Sequence, residues 1–155
     1  MADKITNIKQ LLLKNISRCL QFNFNKNENE SKLLDEIAKK LKENEKMILL
    51  VQNYDSDSKF IDFIKKANQL CEMFNALLFI EKRADLCKIC DTSGIILNKN
   101  SMNLKNAKEI IDKDKLFGLK IDDDFNQIEE FDFILVDNIN VATDKIKTIK
   151  LIKGN

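Results

Sequence analysis

The sequence predicts a parallel α/β sheet, on three observations. Short apolar runs rich in Ile, Leu, Val and Phe recur along the chain. The stretches between them carry apolar residues at three- and four-residue intervals, the spacing of a helix with one buried face. No proline or low-complexity linker interrupts the alternation. A helical crossover returns the chain to the same end of the sheet, so successive strands run parallel. With 155 residues, 44% of them apolar, the chain suits one domain spanning 1–155.

Residues 1–15, with Ile5, Ile8, Leu11 and Leu12, read as a leading helix covering one end of the sheet. The first strand is Cys19–Phe24, and the helix after it is marked by Leu33, Leu34, Ile37 and Leu41. Met47–Gln52 is the second strand. Phe60, Ile61, Phe63, Ile64, Ala67, Leu70, Cys71 and Phe74 then cover one broad helical face, with Asp57 or Ser58 as its N-cap. The strand Ala76–Ile80, the helix Ala84–Cys90, the strand Gly94–Leu97 and the helix Leu104–Ile111 follow. Leu116–Ile121 is the fifth strand. A short helix around Phe125–Glu129 is opened by Asp122–Asp124, carboxylates that suit the positive end of a helix dipole. Phe131–Val136 is the sixth strand. The tail, with Ile146, Thr148, Ile149, Leu151 and Ile152, fits a seventh strand or a final helix equally well.

Composition removes whole classes of chemistry. Histidine is absent, which excludes Ser-His and Cys-His catalysis and His-ligated metals. Glycine occurs only at 94, 118 and 154, too sparse for a P-loop or a dinucleotide fingerprint. Twenty-six basic against 25 acidic residues leave a formal charge of +1, so no global field favours nucleic acid or an anionic membrane. The longest apolar runs, Met47–Val51 and Ala76–Ile80, fall far short of the roughly 20 residues that span a bilayer. The N-terminus lacks a signal-peptide pattern, and a cytoplasmic location is the default expectation.

Three local motifs have simple readings. Cys87 and Cys90 form a C-x-x-C pair, but Cys19 and Cys71 have no such spacing and no histidine completes a zinc set. Both thiols fall in the apolar pattern of a short helix and read as core. Asn53–Ser58 alternates oxygen-bearing side chains yet lacks the glycine and closing glutamate of a calcium loop, so it reads as loop and helix cap. Asp122–Asp124 reads as solvated carboxylates at a helix start rather than a cation site.

The stretch Ala76-Leu77-Leu78-Phe79-Ile80-Glu81-Lys82-Arg83-Ala84-Asp85-Leu86-Cys87, followed by Ser93–Leu97 and Asp114–Leu119, resembles thiamine phosphate synthase and its thiazole tautomerase relatives. Those proteins carry a strand ending in Asn-Asp-Arg, a short helix, a Gly-Val-His-Leu-Gly strand and a Gly-Val-Ser strand. Leu50-Val51-Gln52 is similar to their Gln-x-Arg-x-Lys strand, and Phe131–Lys145 to their Asp-Tyr-Ile strand and Thr-x-Thr-Lys loop. The implied fold is a (β/α)8 TIM barrel, here shortened to six or seven strands, with ligands held at the C-terminal strand ends.

The resemblance also implies what has changed. In the active family, magnesium and basic residues stabilise a pyrophosphate leaving group while a thiazole phosphate captures a pyrimidine carbocation. The two metal-binding aspartates correspond to Lys82 and Ser101, and an ammonium repels magnesium. Tyr54, Ser56, Glu81, Ile96 and Lys120 stand where the family has arginine, lysine, asparagine, histidine and serine. Ala142 and Asp144 occupy threonine positions before Lys145, with Thr143 one residue out of register. Gln52, Arg83 and Lys145 agree with the family, and with Lys120 they are the candidate ligand-binding residues. The chain is also expected to end before the glycine-rich strand ends that hold the thiazole phosphate.

The expectation is a divergent relative without magnesium-dependent turnover, with no resident cofactor, keeping a weak pocket for a small phosphorylated or pyrimidine ligand. The alternatives are an active synthase using Asp122 or Asp137 for magnesium, and an interaction module. In the latter, the exposed edges of an incomplete barrel would pair with another copy, with no role for nucleic acid or membrane.

Overall fold

The computed structural model describes residues 2–25, 29–53, 56–112, 114–121, 128–137 and 146–155. Its elements are α1 (Ala2–Lys14), β1 (Arg18–Phe24), α2 (Glu30–Lys42), β2 (Met47–Gln52), α3 (Asp57–Met73), β3 (Leu77–Glu81), α4 (Ala84–Cys90), β4 (Gly94–Leu97), α5 (Leu104–Ile110), β5 (Leu116–Ile121), a 3₁₀ turn (Ile128–Glu130), β6 (Phe133–Val136) and β7 (Thr148–Lys153). The strands form a closed barrel in sequential order, each pairing with the next in parallel, and β7 returns to β1 through Arg18–Lys150 to Gln21–Lys153.

The tail is therefore the seventh strand, bonded on one side to β6 and on the other to β1. This corrects the expectation of exposed edges. Closure gives every described strand two neighbours, so none offers the unpaired N–H and C=O groups that edge pairing requires.

Side chains of a strand point alternately to the two faces, and this period sorts the core into layers. Cys19, Met47, Leu49, Leu77, Phe79, Ile96, Leu116, Phe133, Leu135 and Ile149 fill the barrel interior. The intervening residues, Leu20, Phe22 and Phe24 of β1, Ile48 and Leu50 of β2, and Leu78 and Ile80 of β3, pack outward against α2, α3 and α4. Phe24 stacks on Phe63 of α3 with centroids 4.6 Å apart, and on Phe60 at 5.8 Å. Leu119, Ile121, Ile134 and Val136 instead form a separate patch with Ile128 of the 3₁₀ turn.

Helix α1 closes the N-terminal end of the barrel, where Leu13 and the following Ile16 join the interior cluster. Its Gln10 amide donates to the Asp132 carboxylate, and Lys9 donates to the carbonyl of Asp114. Cys87 and Cys90 are buried in α4, and the four cysteines are free thiols.

Element boundaries move for local reasons. Helix α3 begins at Asp57, so Ser56 takes the N-cap position expected at Asp57 or Ser58, and its side chain makes no capping bond. Strand β3 starts at Leu77 because the Ala76 N–H still donates to Cys71 at the end of α3. Strand β6 starts at Phe133 because Asp132 turns toward β5, its carboxylate accepting from the N–H of Phe117. Of the short helix expected around Phe125–Glu129 only the end is described, within a 3₁₀ turn at Ile128–Glu130. Asp122–Asp124 and Phe125–Gln127 lie outside the described residues.

Candidate functional site at the barrel mouth

The strands point their C-terminal ends to the face opposite α1. There the interior pattern changes from apolar to polar. Along β3 the inward residues run Leu77, Phe79, Glu81. Glu81 is level with the interior residue Ile96 of β4, and Ile96 is level with Gly118 of β5. Lys120, two residues beyond Gly118, is therefore the next inward position. Its chain passes over β4 to bring Nζ within 3.9 Å of the Glu81 carboxylate, with the two side chains 26% and 12% exposed. On β1 the Gln21 amide donates to Asn23 at 3.0 Å. The C-terminal residues fold against the same strand: Gly154 N–H donates to the Gln21 carbonyl, and Asn155 bonds the Asn23 backbone through both amide atoms.

Arg83 follows β3 and reaches two helix starts. Its guanidinium pairs bidentately with Asp57 at the start of α3, both bonds 3.0 Å, and with Asp85 in the first turn of α4 at 3.1 and 2.9 Å. These bonds hold both carboxyls below the usual carboxylate range and push the guanidinium up. The positive charge is thus already compensated by the protein.

Gln52 sits at the end of β2, in register with Phe24 and on the alternate face from Val51, which packs against the barrel interior. Its Nε2 is buried with no hydrogen-bond partner among the described residues. Gln52 therefore belongs to the layer between sheet and helices, whereas Glu81 and Lys120 face the barrel axis. Lys145, the fourth candidate, lies outside the described residues, as do Tyr54, Ala142, Thr143 and Asp144. Of the four, only Lys120 is placed in the described mouth. In the sequence Glu81 stands out only as a replacement for the family's asparagine; its spacing from Leu77 and Phe79 marks it as an inward residue.

The two positions that the resemblance assigns to magnesium do not fit that ion. Lys82 is exposed at a left-handed turn, φ 68°, its N–H donating to Ile96 at 2.9 Å. The Ser101 hydroxyl is engaged at home, accepting from the Asn98 N–H and donating to the Asn98 carbonyl, both at 2.9 Å. An ammonium and an occupied hydroxyl are a poor donor set for a hard cation that prefers carboxylate and water oxygens. Among the described residues no three His, Cys, Asp or Glu side chains converge to hold a metal.

A closed parallel barrel with its polar groups at the C-terminal strand ends defines a TIM-barrel-like α/β fold. The model of the thiamine monophosphate synthase family matches residues 21–143, and the chain belongs to that family. It is 25% identical over 107 residues to the thiamine-phosphate synthase of Methanobrevibacter smithii, covering 69% of this chain and 51% of that protein. It is 29% identical over 66 residues to the Clostridium botulinum enzyme, covering 43% of this chain and 32% of that one. Among solved structures, the thiamine phosphate pyrophosphorylase from Pyrococcus furiosus superposes with a TM-score of 0.69 at 14% identity, covering 91% of this chain and 76% of that one. The chain thus spans about half the length of the Methanobrevibacter relative. No helix among the described residues is long and apolar enough to cross a membrane.

Proposed function

We propose that this chain is a thiamine phosphate synthase relative that binds a small phosphorylated or pyrimidine-bearing ligand without magnesium-dependent synthase turnover. The observation that carries the reading is the chemistry at positions 82 and 101, an exposed ammonium and a hydroxyl committed to its own loop. Stabilising a pyrophosphate leaving group requires a concentrated positive field at the site where charge develops. Arg83 is neutralised by Asp57 and Asp85, and Lys120 faces Glu81, so neither offers that field.

The test is a product assay for thiamine phosphate with both family substrates, with and without magnesium, alongside a competent synthase. The wild-type chain yields no product. The double variant Lys82→Asp plus Ser101→Asp gains magnesium-dependent product, since aspartate tolerates the left-handed conformation at 82 better than most residues and can still accept from Asn98 at 101. Turnover by the wild type overturns the reading in favour of an active enzyme using other carboxylates, such as Asp137, exposed just after β6.

A further inference from the structure

We propose that the cleft at the N-terminal end of the barrel, on the face opposite the mouth, is a binding site in which a small phosphate-bearing anion bridges the ammonium groups of Lys9 and Lys115. It shares no residue with the mouth and does not depend on what the mouth binds.

The cleft has a volume of about 360 Å³, the size of a small-molecule site. Helix α1 contributes Lys9 to it, the turn between α4 and β4 contributes Asp91, and the approach to β5 contributes Asp114 and Lys115. Asn68 of α3 fixes that turn, its amide donating to the carbonyls of Cys90 and Asp91 at 3.3 and 3.1 Å. The two lysines are thus held on separate elements around one cavity.

Lys115 is the one buried lysine among the described residues. Its side chain is 5% exposed, while that of its partner Asp91 is 84% exposed, so the pair is buried on the cationic side alone. An ammonium carries three N–H donors, and among the described residues Lys115 spends one, on Asp91. Lys9 likewise spends one, on the Asp114 carbonyl at 3.0 Å. Donors withdrawn from water without an acceptor are costly, and both lysines keep spare ones. They also feel each other: burial first and then the Lys115 charge lower the Lys9 ammonium from its ordinary 10.5, against the opposing pull of Asp114 and Asp91. An anion between them supplies acceptors to both and relieves the repulsion.

Three acidic residues line the same cleft, and they decide how that anion binds. Glu72 is exposed at the end of α3, and Asp114 serves Lys9 through its backbone carbonyl. Asp91 is the competitor. Its largely exposed carboxylate gives up little when it turns to solvent, and it occupies a single donor of Lys115. A tetrahedral phosphate presents oxygens in several directions, so one group can accept from ammoniums that arrive from α1 and from β5.

The test is a nuclear magnetic resonance titration with inorganic phosphate at constant ionic strength, following the backbone amides. Saturable shifts are expected at Thr92, Ser93 and Lys115. Lys115→Met and Lys9→Met each weaken the binding by at least about tenfold, the worth of one charge-assisted hydrogen bond. Asp91→Asn tightens it by removing the competitor, and Lys120→Gln at the mouth leaves it unchanged. Spectral dispersion verifies that each variant is folded, and Lys9→Met decides should Lys115→Met fail to fold. No saturable shift at those amides, unchanged affinity in the folded lysine variants, or weaker binding in Asp91→Asn overturns the proposal. Loss of the shifts in Lys120→Gln assigns the phosphate to the mouth and overturns it equally. Product formation in the synthase assay bears on the mouth alone.

Discussion

The rings of Phe79 and Phe133 meet edge to face inside the barrel, centroids 5.2 Å apart and planes at 79°. They fit because two inward positions have no side chain. A Cβ on Gly94 would lie 2.7 Å from the Phe79 ring, and one on Gly118 would lie 2.4 Å from the Phe133 ring. The sequence places glycine and phenylalanine so that a narrow seven-stranded barrel has a filled interior.

Gly118→Ala should therefore destabilise the fold, because the methyl drives into Phe133 and into Ile96 on the other side. Overpacking a filled core costs about 1–3 kcal/mol. Denaturant unfolding of Gly118→Ala should show this loss, and adding Phe133→Leu should recover part of it. Additive losses in the double variant would refute steric coupling between the two sites.

At the other end of the barrel, the Glu45 carboxylate is almost wholly buried and is held by both Nε and an Nη of Arg18, the first residue of β1. Arg18→Leu strands that carboxylate without a cation; because the Arg18 side chain is 55% exposed, the cost should fall below the about 3–5 kcal/mol of breaking a fully buried pair. Glu45→Gln in the same background restores neutrality and should recover most of the loss. Chemical denaturation of the three chains measures it, and an Arg18→Leu variant as stable as wild type would show that water already serves Glu45.

Much of the barrel is legible in the sequence because strand and helix leave different periods. Met47–Gln52, Gly94–Leu97 and Leu116–Ile121 are read to the residue, each being a short apolar run with turn residues at its ends. The tail is not, because Ile146, Ile149, Leu151 and Ile152 fit either period, and its strand state depends on the long-range bonds that close β7 onto β1. The mouth is only half legible. Lys120 is found from its alignment, but its partner Glu81 lies two strands away, and barrel curvature rather than sequence spacing brings them together. Arg83 agrees with the family motif, yet nothing local announces that Asp57, at the start of α3, compensates it.

The Arg83 clamp has an acid signature. Its hydrogen bonds are the leading cause that lowers the carboxyls of Asp57 and Asp85 below their usual 3.8. A carboxyl with a depressed folded value contributes stability above 3.8, and loses it as pH falls through that depressed value. Arg83→Met should therefore be less stable than wild type near neutrality, and the gap should close in strong acid. Urea midpoints across an acid series measure the gap; a gap constant with pH would mean that Arg83 acts through packing alone. Both carboxylates are largely exposed, so the effect is modest and shrinks with added salt.

The thiols set the opposite limit. Burial raises all four above the ordinary thiol value of 9.0, with Cys71 pushed up to about 12 and Cys19, fully enclosed, higher still. In the unfolded chain these groups lose their protons near 9.0, while in the native chain Cys19 and Cys71 keep them. The unfolded state then binds fewer protons than the native one, so stability falls as pH rises past 9.0. Each such thiol contributes a slope of up to about 1.4 kcal/mol per pH unit. Cys71→Ala lowers stability at neutral pH by opening a small cavity, but it should flatten the alkaline decline by one thiol's share. Guanidinium unfolding of wild type and Cys71→Ala on both sides of pH 9.0 separates the two effects. Parallel alkaline slopes would show that Cys71 ionises in the folded chain, and rapid alkylation of the native protein at moderate pH would say the same of the other buried thiols.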